Sequence, residues 1–312
     1  MKKSNVLIVI VTYNATRYDW LTKCISSVQN SSTQCDIIVI DNNSTDETCD
    51  IIKQKYVDVY LVENKMNTGF GSANNIGLQY ALDNGYEYIF LLNQDAFLER
   101  DTVEKLIKTS KENQDYGIIS PLHLSGDGES LDAEFSREIM HKYCPFLISD
   151  LILKKYKEKI YEAEFICAAA WLIPIRTLQL VGGFNPSFFH YGEDNNYVHR
   201  LQFKKLKTGV YPHAVIYHDR EDRLPSSFES KEYVSKRNYL INVSNPNNTL
   251  TTNDLKKHLI ISLLKSVLTF KPKEAKHTIQ EIKFFNQQKL TLDRNLEISK
   301  INSYAFLKGA IK

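Results

Sequence analysis

The sequence has 312 residues, 43% hydrophobic and 24% charged, with 39 Lys and Arg against 37 Asp and Glu for a net charge of +2. This balance excludes a disordered, collagen-like or coiled-coil chain, and the length suffices for one large domain with an appendage or for two smaller ones. Five cysteines without a Cys-x-x-Cys pair (Cys24, Cys35, Cys49, Cys144, Cys167) exclude a disulfide framework and a thiolate zinc site, and fit the reduced thiols of a cytoplasmic protein.

In chain order, the run Val6 to Val11 behind Lys2-Lys3 is too short for a signal peptide, and it ends in Thr12-Tyr13-Asn14 without a small-residue cleavage site. It predicts a buried strand. Further strands are expected over Asp36 to Asp41, Val57 to Glu63, Tyr88 to Asn93 and Gly117 to Ser120. Amphipathic helices are expected between them: one through Trp20, Leu21, Cys24, Ile25 and Val28, then Asp46 to Tyr56, Ala73 to Leu82 and Thr102 to Ser110. Such alternation predicts an α/β fold, a mostly parallel sheet with helices on both faces, whose ligands bind outside the carboxyl ends of the strands.

From about residue 121 the rhythm breaks. A polar Gly/Asp/Ser stretch and a Lys-rich helical pattern fill 122 to 162 and read as an insertion at the edge or mouth of the sheet. A strand-like run Glu164 to Pro174, a short helix Arg176 to Val181, a helix Asp194 to Lys205 and a last strand Gly209 to Tyr217 follow, and beyond Pro225 the pattern is helical. The expected organisation is a catalytic unit over 1–224, with a nucleotide-binding half at 1–120 and an acceptor-side half at 121–224, followed by a helical region over 225–312.

The strand ends are polar: Val11-Thr12-Tyr13-Asn14, Asp41-Asn42-Asn43-Ser44-Thr45-Asp46, Asn67-Thr68-Gly69-Phe70-Gly71-Ser72-Ala73-Asn74-Asn75-Ile76-Gly77 and Leu92-Asn93-Gln94-Asp95. Phe188-Phe189-His190-Tyr191-Gly192-Glu193-Asp194 with Arg200, and His218, complete the set. In this order and spacing, over about residues 5 to 220, they resemble the family 2 glycosyltransferases, inverting nucleotide-sugar enzymes of GT-A fold, and especially their bacterial rhamnosyltransferase-like branch. The resemblance implies a donor such as dTDP-rhamnose or a UDP-sugar and a hydroxyl acceptor on a glycan or lipid-linked glycan of the cell surface. Mn²⁺ or Mg²⁺ is the implied cofactor, and no nucleic acid partner is expected.

Asp41 is placed to accept hydrogen bonds from a base or ribose, the position that contacts the nucleoside in the resembling family, or to cap the turn that follows; one side chain can do both. Thr12, Tyr13 and Asn14 would floor a pyrimidine. Asn43, Asn67, Asn75 and Asn93 join them on the donor side, and Gly69 and Gly71 would let the backbone pass close to the donor ahead of a helix amino end, or form a glycine-rich turn and nothing more. That segment fails as a dinucleotide fingerprint, because its third glycine is missing and it follows the third strand.

Asp95 suits a hard divalent cation on a diphosphate, the work of Asp-x-Asp in GT-A enzymes, with Asn93 in the first position and His218 as the other protein ligand or a structural strand-end histidine. An inverting transferase needs a base, for which Asp194 is the choice and Glu193 the alternative. Arg200 would pair with Glu193 or phosphate, or lie on a helix surface; Trp171, among small residues, would face a sugar or sit in the core; Tyr191 belongs to the acceptor side. Asn185 and Asn196 stand where the family often has Asp.

The charge is uneven: residues 1–224 carry 24 basic and 30 acidic side chains, residues 225–312 carry 15 and 7. Within the basic part Leu255, Leu259, Ile260, Leu263, Leu264, Val267 and Phe270 form a helical stripe with Lys256, Lys257, Lys265 and Lys271 around it. It fits packing on the catalytic unit, a dimer interface, or the inner face of a membrane. A sugar nucleotidyltransferase is disfavoured because Thr12 to Trp20 holds no glycine, and a non-catalytic sugar-nucleotide binder by the retained Asp95, Glu193 and Asp194.

Overall fold

Val6–Thr12 forms strand β1, whose alternate side chains enter two different cores because a strand buried on both faces sends successive residues to opposite sides. The computed structural model describes residues 4–220, 228, 230–249, 251–301 and 303–308. After β1 come α1 (Trp20–Gln29), β2 (Asp36–Asp41), α2 (Thr48–Lys55), β3 (Tyr60–Glu63), α3 (Phe70–Asp83), β4 (Tyr88–Asn93), β5 (Ala96–Leu98), α4 (Thr102–Glu112) and β6 (Tyr116–Ser125). Then follow α5 (Ala133–Glu138), α6 (Leu147–Ile152), β7 (Tyr161–Ala163), β8 (Ala170–Pro174), α7 (Ile175–Val181), α8 (Glu193–Phe203), β9 (Lys207–His218), α9 (Lys231–Val243), α10 (Thr252–Leu268) and α11 (Pro272–Lys300).

Among the described residues the strands join in one sheet of order β3-β2-β1-β4-β8-β6-β9-β5, with β7 also on β9. The parallel part is β3-β2-β1-β4. Beyond it the sheet is mixed: β8 runs antiparallel between β4 and β6, β9 is parallel to β6, and β5 and β7 are antiparallel to β9. The two short strands, three residues each, carry too few side chains to show a period in the sequence.

One face packs Ile8 and Ile10 against Cys24, Ile25 and Val28 of α1 and Val103 and Leu106 of α4. The other packs Leu7 and Val9 against Ala73 and Leu78 of α3, Leu178 of α7 and Leu201 of α8. The insertion has its own small core around Phe135, Cys144 and Leu147. Two expected strands are shorter than their apolar runs: Val57 is 83% exposed and β3 begins at Tyr60, and residues 164–169 loop before β8.

The carboxyl-terminal region is helical, with Val243, Leu259, Phe285 and Leu292 in a separate core. The chain then returns to the sheet unit: Gly183 N–H donates to Ala305 O (2.8 Å), and Tyr304 and Leu307 pack on the α3/α7 side. The expected boundary at 224/225 and the side chain of Leu255 lie outside the described residues. The apolar stripe of α10 splits, because α11 covers only one side of it. Leu259 is buried there, whereas Ile260, Ile261, Leu264, Val267, Leu268 and Phe270 are exposed. No helix among the described residues is long and apolar enough to cross a membrane.

Candidate active site

The carboxyl ends of β1, β2 and β4 open on one side of the sheet. There Asp41 is buried and accepts from Thr12 Oγ1 (3.0 Å) and Ser44 N–H (2.8 Å), so the turn-capping role is realised. Thr12 is fully buried and serves Asp41 rather than opening onto a cleft. Tyr13 is 48% exposed, its backbone held at both ends by the Gln94 amide. Asn14 and Asn43 both adopt positive φ; Asn14 Oδ1 accepts from Thr45 N–H (2.8 Å), and Asn43 is exposed.

Asn42 organises the glycine segment. Its Nδ2 donates to Asn67 Oδ1 (2.8 Å) and Gly69 O (3.3 Å), and its Oδ1 accepts from Thr68 N–H (2.9 Å). The glycines have a steric reason within the protein itself. A Cβ on Gly69, at φ +83°, would lie 1.9 Å from Phe189 O, and one on Gly71 would lie 2.9 Å from Phe184 Cβ and 3.3 Å from Glu193 Cβ. The segment 184–193 presses directly on them. The first N–H of α3, that of Phe70, already donates to Phe189 O (3.2 Å). Asn75 pins that segment too: its amide donates to Phe184 O (2.8 Å) and accepts from Phe184 N–H (2.7 Å).

Asp95 follows β4 in a turn into β5, and the β5–β9 register sets Ala96 opposite His218. His218 Nε2 thereby comes to 3.4 Å from Asp95 Oδ1, both side chains buried. Asn93 N–H donates to Ala169 O (2.9 Å), while its buried Oδ1 finds no hydrogen-bond partner among the described residues. An oxygen and a nitrogen 3.4 Å apart face one another closely enough to reach one cation, slightly wider than the cis edge of about 3.0 Å in an octahedral shell with bonds of about 2.1 Å. Among the described residues no group of three or more His, Cys, Asp or Glu could hold a metal, so the protein's share would be Asp95 and His218, with diphosphate and water for the rest.

Glu193 and Asp194 open α8 behind Gly192, whose positive φ makes the turn. Glu193 is buried, and its Oε2 has no hydrogen-bond partner among the described residues. Burial, and then the charge of Asp194, push the Glu193 carboxyl up to about 8. Burial also raises Asp194, against main-chain N–H bonds from Asn195 and Ala168. The Ala168 main chain lowers Asp194, and Ala169 O accepts from Asn93 N–H, so Asp194 and the end of β4 border the same two-residue segment.

Trp171 and Arg200 are core residues, not acceptor contacts. Trp171 is fully buried against Phe184 and Tyr197, with its indole N–H on Ile166 O (3.2 Å), so no ring face is open to a sugar. Arg200 is fully buried and donates to Val181 O (2.7 Å), Gly183 O and Asn196 Oδ1 (3.2 Å). It pairs with neither Glu193 nor an open cleft. Tyr191 is 37% exposed beside His190 and Phe228, with the Arg237 guanidinium 5.8 Å from its ring. Next to Asp194 a cavity of about 300 Å³ is lined by Glu138, Tyr143, Glu164, Asn195, His199 and Gln202, among others. Burial pushes Glu138 up to about 8, and its carboxylate accepts from Cys167 N–H (3.0 Å). Sequence reasoning missed Asn42, Gln94 and Glu138, whose roles depend on partners 25 to 81 residues away.

The glycosyl transferase family 2 model matches residues 7–173. The low-salt glycan biosynthesis hexosyltransferase Agl10 of Haloferax volcanii is 24% identical over 177 residues, 56% of this chain and 55% of that protein. The dTDP-rhamnosyl transferase RfbF of Shigella flexneri is 30% identical over 128 residues, 40% of each chain. This chain thus spans about half the length of the relatives it matches. The structure of S. aureus TarS 1–349 in complex with UDP-GlcNAc superposes with a TM-score of 0.57 at 16% identity, over 96% of this chain and 89% of that one. That likeness is one of fold.

Proposed function

The chain belongs to glycosyl transferase family 2 and has the GT-A fold, and from that premise we propose that it moves one sugar, with inversion, from a nucleoside-diphosphate donor to a hydroxyl of a glycan. The donor is dTDP-rhamnose or a UDP-sugar and the acceptor a cell-surface polysaccharide intermediate, free or lipid-linked. The observation supporting this reading is that two acid groups, Asp95 beside His218 and Asp194 beside buried Glu193, border the same Ala168-Ala169 segment, the first through Asn93 at the end of β4.

In this reading residues 1–120 hold the donor and 121–224 the acceptor, with 225–312 as helical support. Tyr13 offers its exposed ring to the base, and Asp41, Asn14, Asn43 and Asn67 surround the nucleoside. Asp95 and His218 would hold Mn²⁺ or Mg²⁺, which when bound neutralises charge on the departing diphosphate. Two adjacent buried carboxyls do not both ionise readily, so Glu193 keeps the proton and Asp194, the more exposed of the pair, takes the proton of the attacking hydroxyl. The cavity beside Asp194 presents acids, two amides and a histidine to acceptor hydroxyls. The outward apolar side of α10, ringed by Lys256, Lys257, Lys265 and Lys271, rests on the anionic inner face of the membrane where a lipid-linked acceptor is found.

A thermal-shift panel of UDP, dTDP and GDP with their sugars, with and without Mn²⁺, tests the reading, since a ligand bound only by the folded state raises the melting temperature. A Mn²⁺-dependent shift with one pyrimidine nucleotide, lost in Asp95→Ala, is expected. No shift with any nucleotide overturns the proposal.

A further inference from the structure

We propose that Asp132, clamped by Arg220, is a positioning residue that fixes the imidazole of His218 with Nε2 turned toward Asp95. The inference rests on the reading of Asp95 and His218 as metal-holding residues. A histidine that ligates through one nitrogen ordinarily donates its other ring N–H to a carboxylate or carbonyl, which sets both the tautomer and the ring plane. The imidazole of His218 lies between two buried carboxylates, as such an arrangement requires: Nε2 is 3.4 Å from Asp95 Oδ1, and Nδ1 is 3.4 Å from Asp132 Oδ2.

Asp132 is itself immobilised. It is buried, caps α5 by accepting from Phe135 N–H (2.8 Å), and takes both ends of the Arg220 guanidinium, Nε at 2.7 Å on Oδ2 and Nη2 on Oδ1. Its backbone N–H donates to His123 O (3.0 Å), and β6 carries that residue alongside β9, where Ser125 pairs with His218. An N-cap needs only one short polar side chain, and a surface ion pair needs no burial. The additional placement of a buried carboxylate on the far nitrogen of His218 is what neither accounts for. The chain Arg220, Asp132, His218, Asp95 therefore runs as one line of alternating charge or dipole into the strand-end site, with the insertion at 122–162 supplying one link.

Asp132→Ser retains an N-cap but removes the carboxylate, and Asp132→Asn retains size and cap but removes the charge. Mn²⁺ dissociation constants for the folded protein with UDP, from the electron-paramagnetic-resonance signal of free Mn²⁺, are expected to weaken roughly 10- to 100-fold in Asp132→Ser, and less in Asp132→Asn. Nitrogen-15 shifts of the ring, measured without metal, should place the proton of wild-type His218 on Nδ1 and show a mixture of tautomers in Asp132→Ser. Wild-type affinity and an unchanged tautomer in both folded variants overturn the inference while leaving the metal reading intact. A wild-type protein whose Mn²⁺ affinity is unaffected by His218→Ala overturns both.

Discussion

The side-chain amide of Asn196 donates to the main-chain oxygen of Ser244 (2.8 Å), and its own oxygen accepts from Arg200 Nε (3.2 Å). Asn196 stands where the resembling family often carries Asp, and the bond shows what the amide does: it ties the start of α8 to the end of α9. A carboxylate there has no hydrogen to give and would set two oxygens face to face in a buried site. Asn185, the other such position, accepts from Asn295 of α11 (3.2 Å). Both asparagines thus dock the helical region onto the sheet unit.

Asn196→Asp should destabilise the fold by about 1–3 kcal/mol, the cost of an unsatisfied buried polar group, despite the charge it offers Arg200. Urea unfolding measures it as a lower midpoint at unchanged slope. An equal or higher midpoint would show that the Arg200 pairing outweighs the lost bond.

Gly69→Ala should be worse than Gly71→Ala. The first combines a positive φ with a Cβ 1.9 Å from a main-chain oxygen, and the second meets only side-chain carbons at 2.9 and 3.3 Å. Strain of this kind costs on the order of 1–3 kcal/mol before the clash is added. Melting temperatures in that order, Gly69→Ala lowest, are expected; the reverse order would mean that the 184–193 segment yields at Phe189 more easily than at Phe184.

The uninterrupted aliphatic runs made β1, β2 and β4 legible to the residue, because strands buried on both faces are written as continuous apolar stretches ended by polar side chains. The ends of β2 and β4 brought Asp41 and Asp95 to notice, and the Glu193-Asp194 pair stood out behind its aromatic loop at the start of α8. Trp171 takes the core alternative left open for it, and Arg200 lies buried rather than on the helix surface, because each is a large, versatile side chain whose burial is decided by Phe184, Tyr197 and the 181–183 carbonyls. Asp132 looked like part of a polar loop because His218 lies 86 positions away in the chain and reaches it only through the β6–β9 pairing.

The buried acids predict a stability that falls as pH rises. Glu193 and Glu138 have folded-state pKa values of about 8, above the ordinary 4.5, so between those values the folded state binds protons that the unfolded state has released. The stabilisation is complete below about pH 4.5 and is lost as pH climbs through about 8, by up to about 1.4 kcal/mol per unit and per group. Glu138→Gln and Glu193→Gln should each flatten the urea midpoint across that window. A wild-type midpoint that rises from pH 5 to 8 in parallel with both variants would refute the assignment.

Contact with an anionic bilayer should depend on the outer side of α10. Leu264→Glu with Val267→Glu places charge on residues 57% and 58% exposed, so the fold should stand. Sedimentation with vesicles containing phosphatidylglycerol should fall, and wild-type binding should weaken with salt because each lysine near the surface contributes about 1 kcal/mol. Intact protein that ignores such vesicles but dimerises, with the dimer lost in the double variant, would assign this side of the helix to a second copy.

Asp194→Asn keeps the size of the side chain and its acceptor for the Asn195 N–H, but it cannot take a proton. If Asp194 is the base, turnover should drop by roughly 10²- to 10⁴-fold with donor affinity little changed, because the interaction lost belongs to the transition state. Glu193→Gln should be milder, since Glu193 is read as already protonated and an amide preserves a neutral group with a hydrogen to donate. Reversal of that order moves the base to Glu193. Donor affinity has to be followed by titration beside the rate, because a carboxylate near a diphosphate site can act on binding alone. An Asp194→Asn enzyme whose whole defect lies in donor affinity, or one that transfers sugar at a near-normal rate, removes Asp194 from proton transfer and leaves it as a brace for the Ala168 turn.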